Sequence, residues 1–95
     1  MSAKTEVVNN AAAARFEIRT DEGLAVLEYA LADGRLQLIH TEVPEALEGR
    51  GYGGTLARFA LEYARSRRLG VVPLCPFVRS YLERHPEYAD LVRDR

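Results

Sequence analysis

The segment Glu48-Gly49-Arg50-Gly51-Tyr52-Gly53-Gly54-Thr55 holds four glycines within six residues. Backbone amides can converge there at the start of a helix, where unpaired N–H groups and the helix dipole favour phosphate oxygens. A plain surface turn is the competing reading, but such a turn seldom needs so many glycines. Two familiar phosphate loops fail on their remaining residues. Gly49, Gly51 and Gly54 satisfy the G-x-G-x-x-G of a dinucleotide fold, yet that fold wants an acidic residue about 20 positions on. The stretch Val72-Pro73-Leu74-Cys75 offers none. Gly49 and Gly54 have the spacing of a nucleotide-triphosphate loop, but Thr55-Leu56 stands where a lysine and a hydroxyl must hold phosphate and magnesium.

Three other places could carry chemistry. Cys75 directly precedes Pro76, and proline suits the first position of a helix. A thiol at a helix N-terminus ionises more readily, so Cys75 is a candidate nucleophile or ligand contact; it also reads as a small buried hydrophobe. By alternation His40 falls on the face of Leu36 and Leu38, with Glu42 next on that face. The pair could remove a proton from an ammonium, with Glu42 orienting the imidazole or replacing it. A packed, hydrogen-bonded histidine fits His40 equally. Tyr81 reads as an aromatic beside Phe77, and His85 as a helix-end residue satisfying the last carbonyls. His40, Cys75 and His85 lack ligand spacing and the carboxylates are scattered, so no metal site is expected.

These residues must be positioned by a short chain. Its 95 residues, 47% apolar and 28% charged, imply one folded domain over 1–95 with an ordered core at about 5–93. A single cysteine excludes an internal disulfide and suits a reducing compartment. Neither Leu24–Leu31 nor Val71–Leu74 approaches the ~18–20 apolar residues of a membrane span, and Met1–Asn10 lacks a basic flank before an apolar run. The expectation is a soluble, cytoplasmic protein with no membrane partner. Thirteen basic residues against fourteen acidic ones argue against nucleic acid as a partner. The charge is segregated: residues 1–48 carry four basic and nine acidic side chains, whereas 49–68 carry five arginines against Glu62 alone.

The pattern predicts an α+β fold. Thr5–Val8 reads as an edge strand, and Asn9-Asn10 can cap one helical turn over Ala11–Ala14. From Arg15 the chain alternates, with Phe16 and Ile18 on one face and Arg15, Glu17 and Arg19 on the other, until Asp21-Glu22-Gly23. Leu24–Leu31 and Leu36–Val43 are two further strands around the Asp33-Gly34 turn, which makes an antiparallel meander ended by Pro44. Leu56, Phe59, Ala60, Tyr63 and Ala64 then recur at helical spacing, predicting a helix over about 52–68 with Gly70 as its cap. Val71–Leu74 is a strand expected parallel to Leu36–Val43, because a helical crossover joins the two. A second helix opens at Pro76 with Phe77, Tyr81 and Leu82 inward, stops at His85-Pro86, and a last helical turn follows.

Gly51 and Gly53 in the loop, together with His40–Pro44, Leu47-Glu48-Gly49, Val72–Val78, Tyr81, His85–Tyr88 and Leu91-Val92, give a pattern that resembles the GCN5-related N-acetyltransferase superfamily. The resemblance is to its small single-domain branch and covers roughly residues 5–93. Glu48 stands where that family prefers Gln or Arg. The resemblance implies a mixed sheet splayed open between Leu36–Val43 and Val71–Leu74. Acetyl-CoA would lie in the gap, with pantetheine against the strand near Val43 and pyrophosphate on Gly49, Arg50, Gly51, Tyr52, Gly53, Gly54 and Thr55. It implies direct acetyl transfer to an amine on a small molecule or protein, with Cys75, His40, Glu42 and Tyr81 as candidates for the chemistry. Tyr81 corresponds to a tyrosine that protonates the CoA thiolate. The usual last two strands are missing, and a non-catalytic CoA-binding sensor or scaffold module is the alternative.

Overall fold

A computed structural model describes residues 6–93. Five strands lie side by side in chain order: β1 (Val8–Asn10), β2 (Arg15–Thr20), β3 (Gly23–Ala32), β4 (Arg35–Glu42) and β5 (Gly70–Pro73). The first four pair antiparallel, and β5 joins β4 in parallel. Helix α1 (Tyr52–Ser66) makes the crossover, α2 (Pro76–Arg84) follows β5, and a 3-10 turn over Pro86–Leu91 ends the fold. This is the mixed sheet that the sequence pattern predicts. The first strand lies later than expected, and Thr5 falls outside the described residues. The Asn10 side chain does cap the turn at Ala11–Ala13, accepting a hydrogen bond from the Ala13 amide.

Both helices pack on the face that carries Phe16, Leu27, Tyr29, Leu36 and Leu38, which meet Leu56, Ala60, Leu61, Val78 and Tyr81 in one core. The 3.6-residue period of α1 sets Leu56, Ala57, Ala60, Leu61 and Ala64 inward. Each fully buried leucine among them contributes about 1.5–3 kcal/mol.

Three local features depart from expectation. Helix α1 does not end on Gly70: Arg68 takes the left-handed position at φ 58°, and the Leu69 amide reaches back to the Ala64 carbonyl. That is the hydrogen-bond pattern of a Schellman cap, here without glycine. Gly70 instead opens β5, where a Cβ would stand 2.6 Å from Arg93 Cγ. In α2 the buried residues are Val78 and Tyr81, while Phe77 stays partly exposed and packs toward α1. The third departure is in β4. Tyr29 pairs with Leu38 and Glu28 with His40, so Ile39 is an extra residue that bulges out of the ladder.

Candidate active site

The bulge reverses the side-chain parity of the end of β4. His40 pairs with outward-facing Glu28, while Thr41 pairs with fully buried Leu27 and turns inward. The expectation that His40 shares the face of Leu36 and Leu38 is therefore corrected, because simple alternation does not survive an inserted residue. His40 and Glu42 are exposed and close, with Nε2 and Oε1 3.7 Å apart.

The sheet parts just beyond the bulge. The β4–β5 ladder ends at Leu38 and Pro73, where the amides of Leu74 and Cys75 both donate to the Leu38 carbonyl. β5 stops there and α2 begins, while β4 continues to Glu42 with no strand beside its outer edge among the described residues. Into this gap opens a cavity of about 670 Å³. One wall is the strand end His40–Val43, another is the glycine loop with Gly49, Gly51, Tyr52, Gly53 and Gly54, and Leu47, Glu48 and Phe77 complete it.

The glycines have different physical reasons. Gly51, the residue before α1, sits at φ 80° with open space around a would-be Cβ, so it is required by its backbone conformation. Gly53 is required by packing, since a Cβ there would lie 2.9 Å from the Phe77 ring. No side chain caps α1. The Thr55 amide is taken by the Gly51 carbonyl at 3.0 Å, and the Thr55 hydroxyl donates to the same oxygen. The amides of Tyr52, Gly53 and Gly54, at the cavity wall, are the first-turn donors without a helical partner. Neither Arg50 nor Thr55 lines the cavity; the Arg50 guanidinium is held by Glu22 of the β2–β3 turn at 2.7 Å.

Cys75 and Tyr81 lie behind the wall and line none of it. Cys75 is 3% exposed and its Sγ is 3.3 Å from Thr41 Oγ1. Burial opposes ionisation of the thiol, but hydrogen bonds from the Thr41 hydroxyl and the amides of Val78, Phe77 and Thr41 outweigh it and hold the thiol below its ordinary range. Tyr81 is 6% exposed and stacks on His85 at 3.9 Å, and burial raises its phenol above the usual value. Of the candidates for chemistry, the structure thus brings His40 and Glu42 to the cavity and leaves Cys75 and Tyr81 in the core. Sequence reasoning missed Thr41 and Phe77. A threonine one residue beyond an unsignalled bulge carries no mark in the sequence, whereas the proximity of Pro76 to Phe77 could have placed that ring at the site.

A parted mixed sheet beside a glycine-started helix is the arrangement that the resemblance to GCN5-related N-acetyltransferases implies. The NMR solution structure of one from Staphylococcus aureus matches with a TM-score of 0.74 at 28% identity, over 97% of this chain and 91% of that one. The family model for GCN5-related N-acetyltransferases matches residues 15–91, and the chain belongs to that family. Among curated relatives, Protein NATD1 of Gallus gallus and of Mus musculus is 36% identical over 63 residues, which cover 65% of this chain and 57% of theirs. Protein NATD1 of Xenopus tropicalis is 30% identical over 66 residues, 70% of this chain and 60% of its own. The chain matches little more than half the length of these relatives.

Proposed function

We propose that the chain is an acetyl-CoA-dependent N-acetyltransferase that moves acetyl directly to an amine borne by a small molecule or a protein. The observation that carries this reading is the parting of β4 from β5 directly beside the unpaired amides of Tyr52, Gly53 and Gly54. Bound acetyl-CoA supplies the activated acetyl thioester. The residues present suit it. Three amides at a helix N-terminus hold phosphate oxygens without a counter-ion, and Gly51 keeps side-chain atoms off their approach. The unpartnered edge of β4 near Val43 offers strand hydrogen bonds to an amide-bearing arm. His40, exposed at the rim with Glu42 at 3.7 Å, accepts the proton that an ammonium must lose before it attacks. The Glu42 carboxylate, 3.7 Å away, stabilises by its charge the imidazolium that results.

Calorimetric titration with acetyl-CoA and with CoA tests the reading. Micromolar binding is expected for the native chain, and Gly51→Val should abolish it by straining the φ 80° backbone and filling the approach to the amides. Turnover with a panel of amines then separates an enzyme from a CoA-binding module. Tight binding with acetyl-CoA consumed no faster than by hydrolysis in solution would support the module, and no binding at millimolar ligand would sink both.

A further inference from the structure

Resting on the reading of the cavity as the acyl-transfer site, we propose that Thr41 is a positioning residue that makes the buried Cys75 thiol a proton source for that cavity. Thr41 is the point where wall and core meet. The bulge at Ile39 turns its side chain inward, it lines the cavity, and its Oγ1 lies 3.3 Å from Cys75 Sγ. Either atom can donate in this pair. A protonated thiol gives its hydrogen to Oγ1, and a thiolate receives one from it.

This arrangement decides what Cys75 can do. An acyl carrier must bring Sγ against a carbonyl carbon, and a side chain 3% exposed, with no atom in the cavity wall, does not present it. A proton needs no such approach. The Thr41 hydroxyl passes its hydrogen to a basic atom in the cavity while Oγ1 takes the hydrogen of Sγ. The O–H and S–H bonds break, two new bonds to hydrogen form, Thr41 ends neutral, and the negative charge rests on Sγ. The amides of Val78 and Phe77 receive that charge at the N-terminus of α2, where no side chain caps the helix. The Thr41 contact at 3.3 Å and the α2 amides together outweigh burial and hold the thiol below its ordinary range, which favours release of the Sγ proton.

The other charged groups nearby are otherwise engaged. Arg79 donates to the carbonyls of Pro73 and Leu74, and His40 and Glu42 reach the cavity rim from the face of β4 opposite to the Thr41 side chain. Arg58, Glu62, Arg84 and Glu87 surround Tyr81, and the Glu62 carboxylate accepts a hydrogen bond from the Tyr88 hydroxyl.

The one cysteine in the chain gives a single 13Cβ resonance, whose pH titration reads the Sγ proton without ligand and without an accessible thiol. Thr41→Val should move its midpoint up by about one pH unit, and Thr41→Ser should bring it back. A midpoint unmoved by Thr41→Val, or moved as far by Thr41→Ser, overturns the proposal. In turnover, Thr41→Val and Cys75→Ala should each slow the reaction at least roughly tenfold with the acetyl-CoA Kd unchanged, while Thr41→Ser keeps the native rate. An acetyl group found on Cys75 by mass spectrometry would overturn the proton-source role in favour of a carrier. Failure of the native chain to bind CoA would sink the acyl-transfer reading on its own, and the titration would still report whether Thr41 governs the thiol.

Discussion

Glu17 is fully buried on the face of the sheet away from the helices. Its carboxylate accepts hydrogen bonds from Arg15, from Asn10 at 2.9 Å and from Arg19 at 3.0 Å. The Arg15 hydrogen bond first, then that of Asn10, outweighs burial and holds the carboxyl below its ordinary range. A depressed folded pKa means that the stabilisation is complete above the unfolded value, near 4.5, and is lost as pH falls through the folded one. Glu17→Gln should therefore lower stability at neutral pH by about 1–3 kcal/mol. Urea unfolding of the two chains should show that gap narrowing as pH drops from about 5 toward 2; a gap that is constant with pH would refute the charge-based account. Alternation alone put Glu17 on the outer face, and that much was legible. Its burial was not, because one of its three partners, Asn10, comes from the end of β1 and pairing register brings it there.

At the scale of elements, what could be read from the sequence is what periodicity and punctuation encode. The 3.6-residue stripe of α1, the Asp33-Gly34 turn and the Pro76 start of α2 each leave a local mark, so the meander, crossover and glycine loop were all legible. The bulge at Ile39 left none, since no glycine or proline accompanies it, and the facing of His40 and Thr41 depends on it. Its position also gives a prediction. Deleting Ile39 preserves the pairs Tyr29–Leu38, Glu28–His40 and Leu27–Thr41, so side-chain parity after the deletion matches the native arrangement. What is lost is the bend that a bulge gives its strand. The deletion variant should keep native-like far-UV circular dichroism and the Thr41–Cys75 contact while binding CoA at least roughly tenfold more weakly, because β4 no longer turns from β5. Unchanged affinity would mean that the gap is opened by the start of α2 alone.

For the whole molecule, the segregation of charge suggests that the arginine-rich segment would serve a phosphate ligand, and the fold argues otherwise. Arg65, Arg67 and Arg68 are at the C-terminal end of α1, and 15 residues at about 1.5 Å each put them some 20 Å from the glycine loop. That is about two and a half Debye lengths at physiological salt. Arg65 is paired with Asp90 at 3.1 Å and Arg67 lies over the Tyr63 ring. Arg50, the one cation in the loop, is held by Glu22, and the cavity wall itself contains Glu42 and Glu48 but no lysine or arginine. On the proposed reading, affinity for phosphates would come from fixed amide dipoles at short range rather than from mobile cations. Short, partly desolvated hydrogen bonds are screened little, whereas attraction between exposed charges falls steeply with ionic strength. CoA affinity measured by calorimetry should consequently change less than about threefold between about 50 and 300 mM salt, and Arg50→Ala should leave that slope as it is. A tenfold loss over the same range would assign phosphate binding to arginines that leave their present partners, and would place the ligand across the loop rather than on the amides of α1.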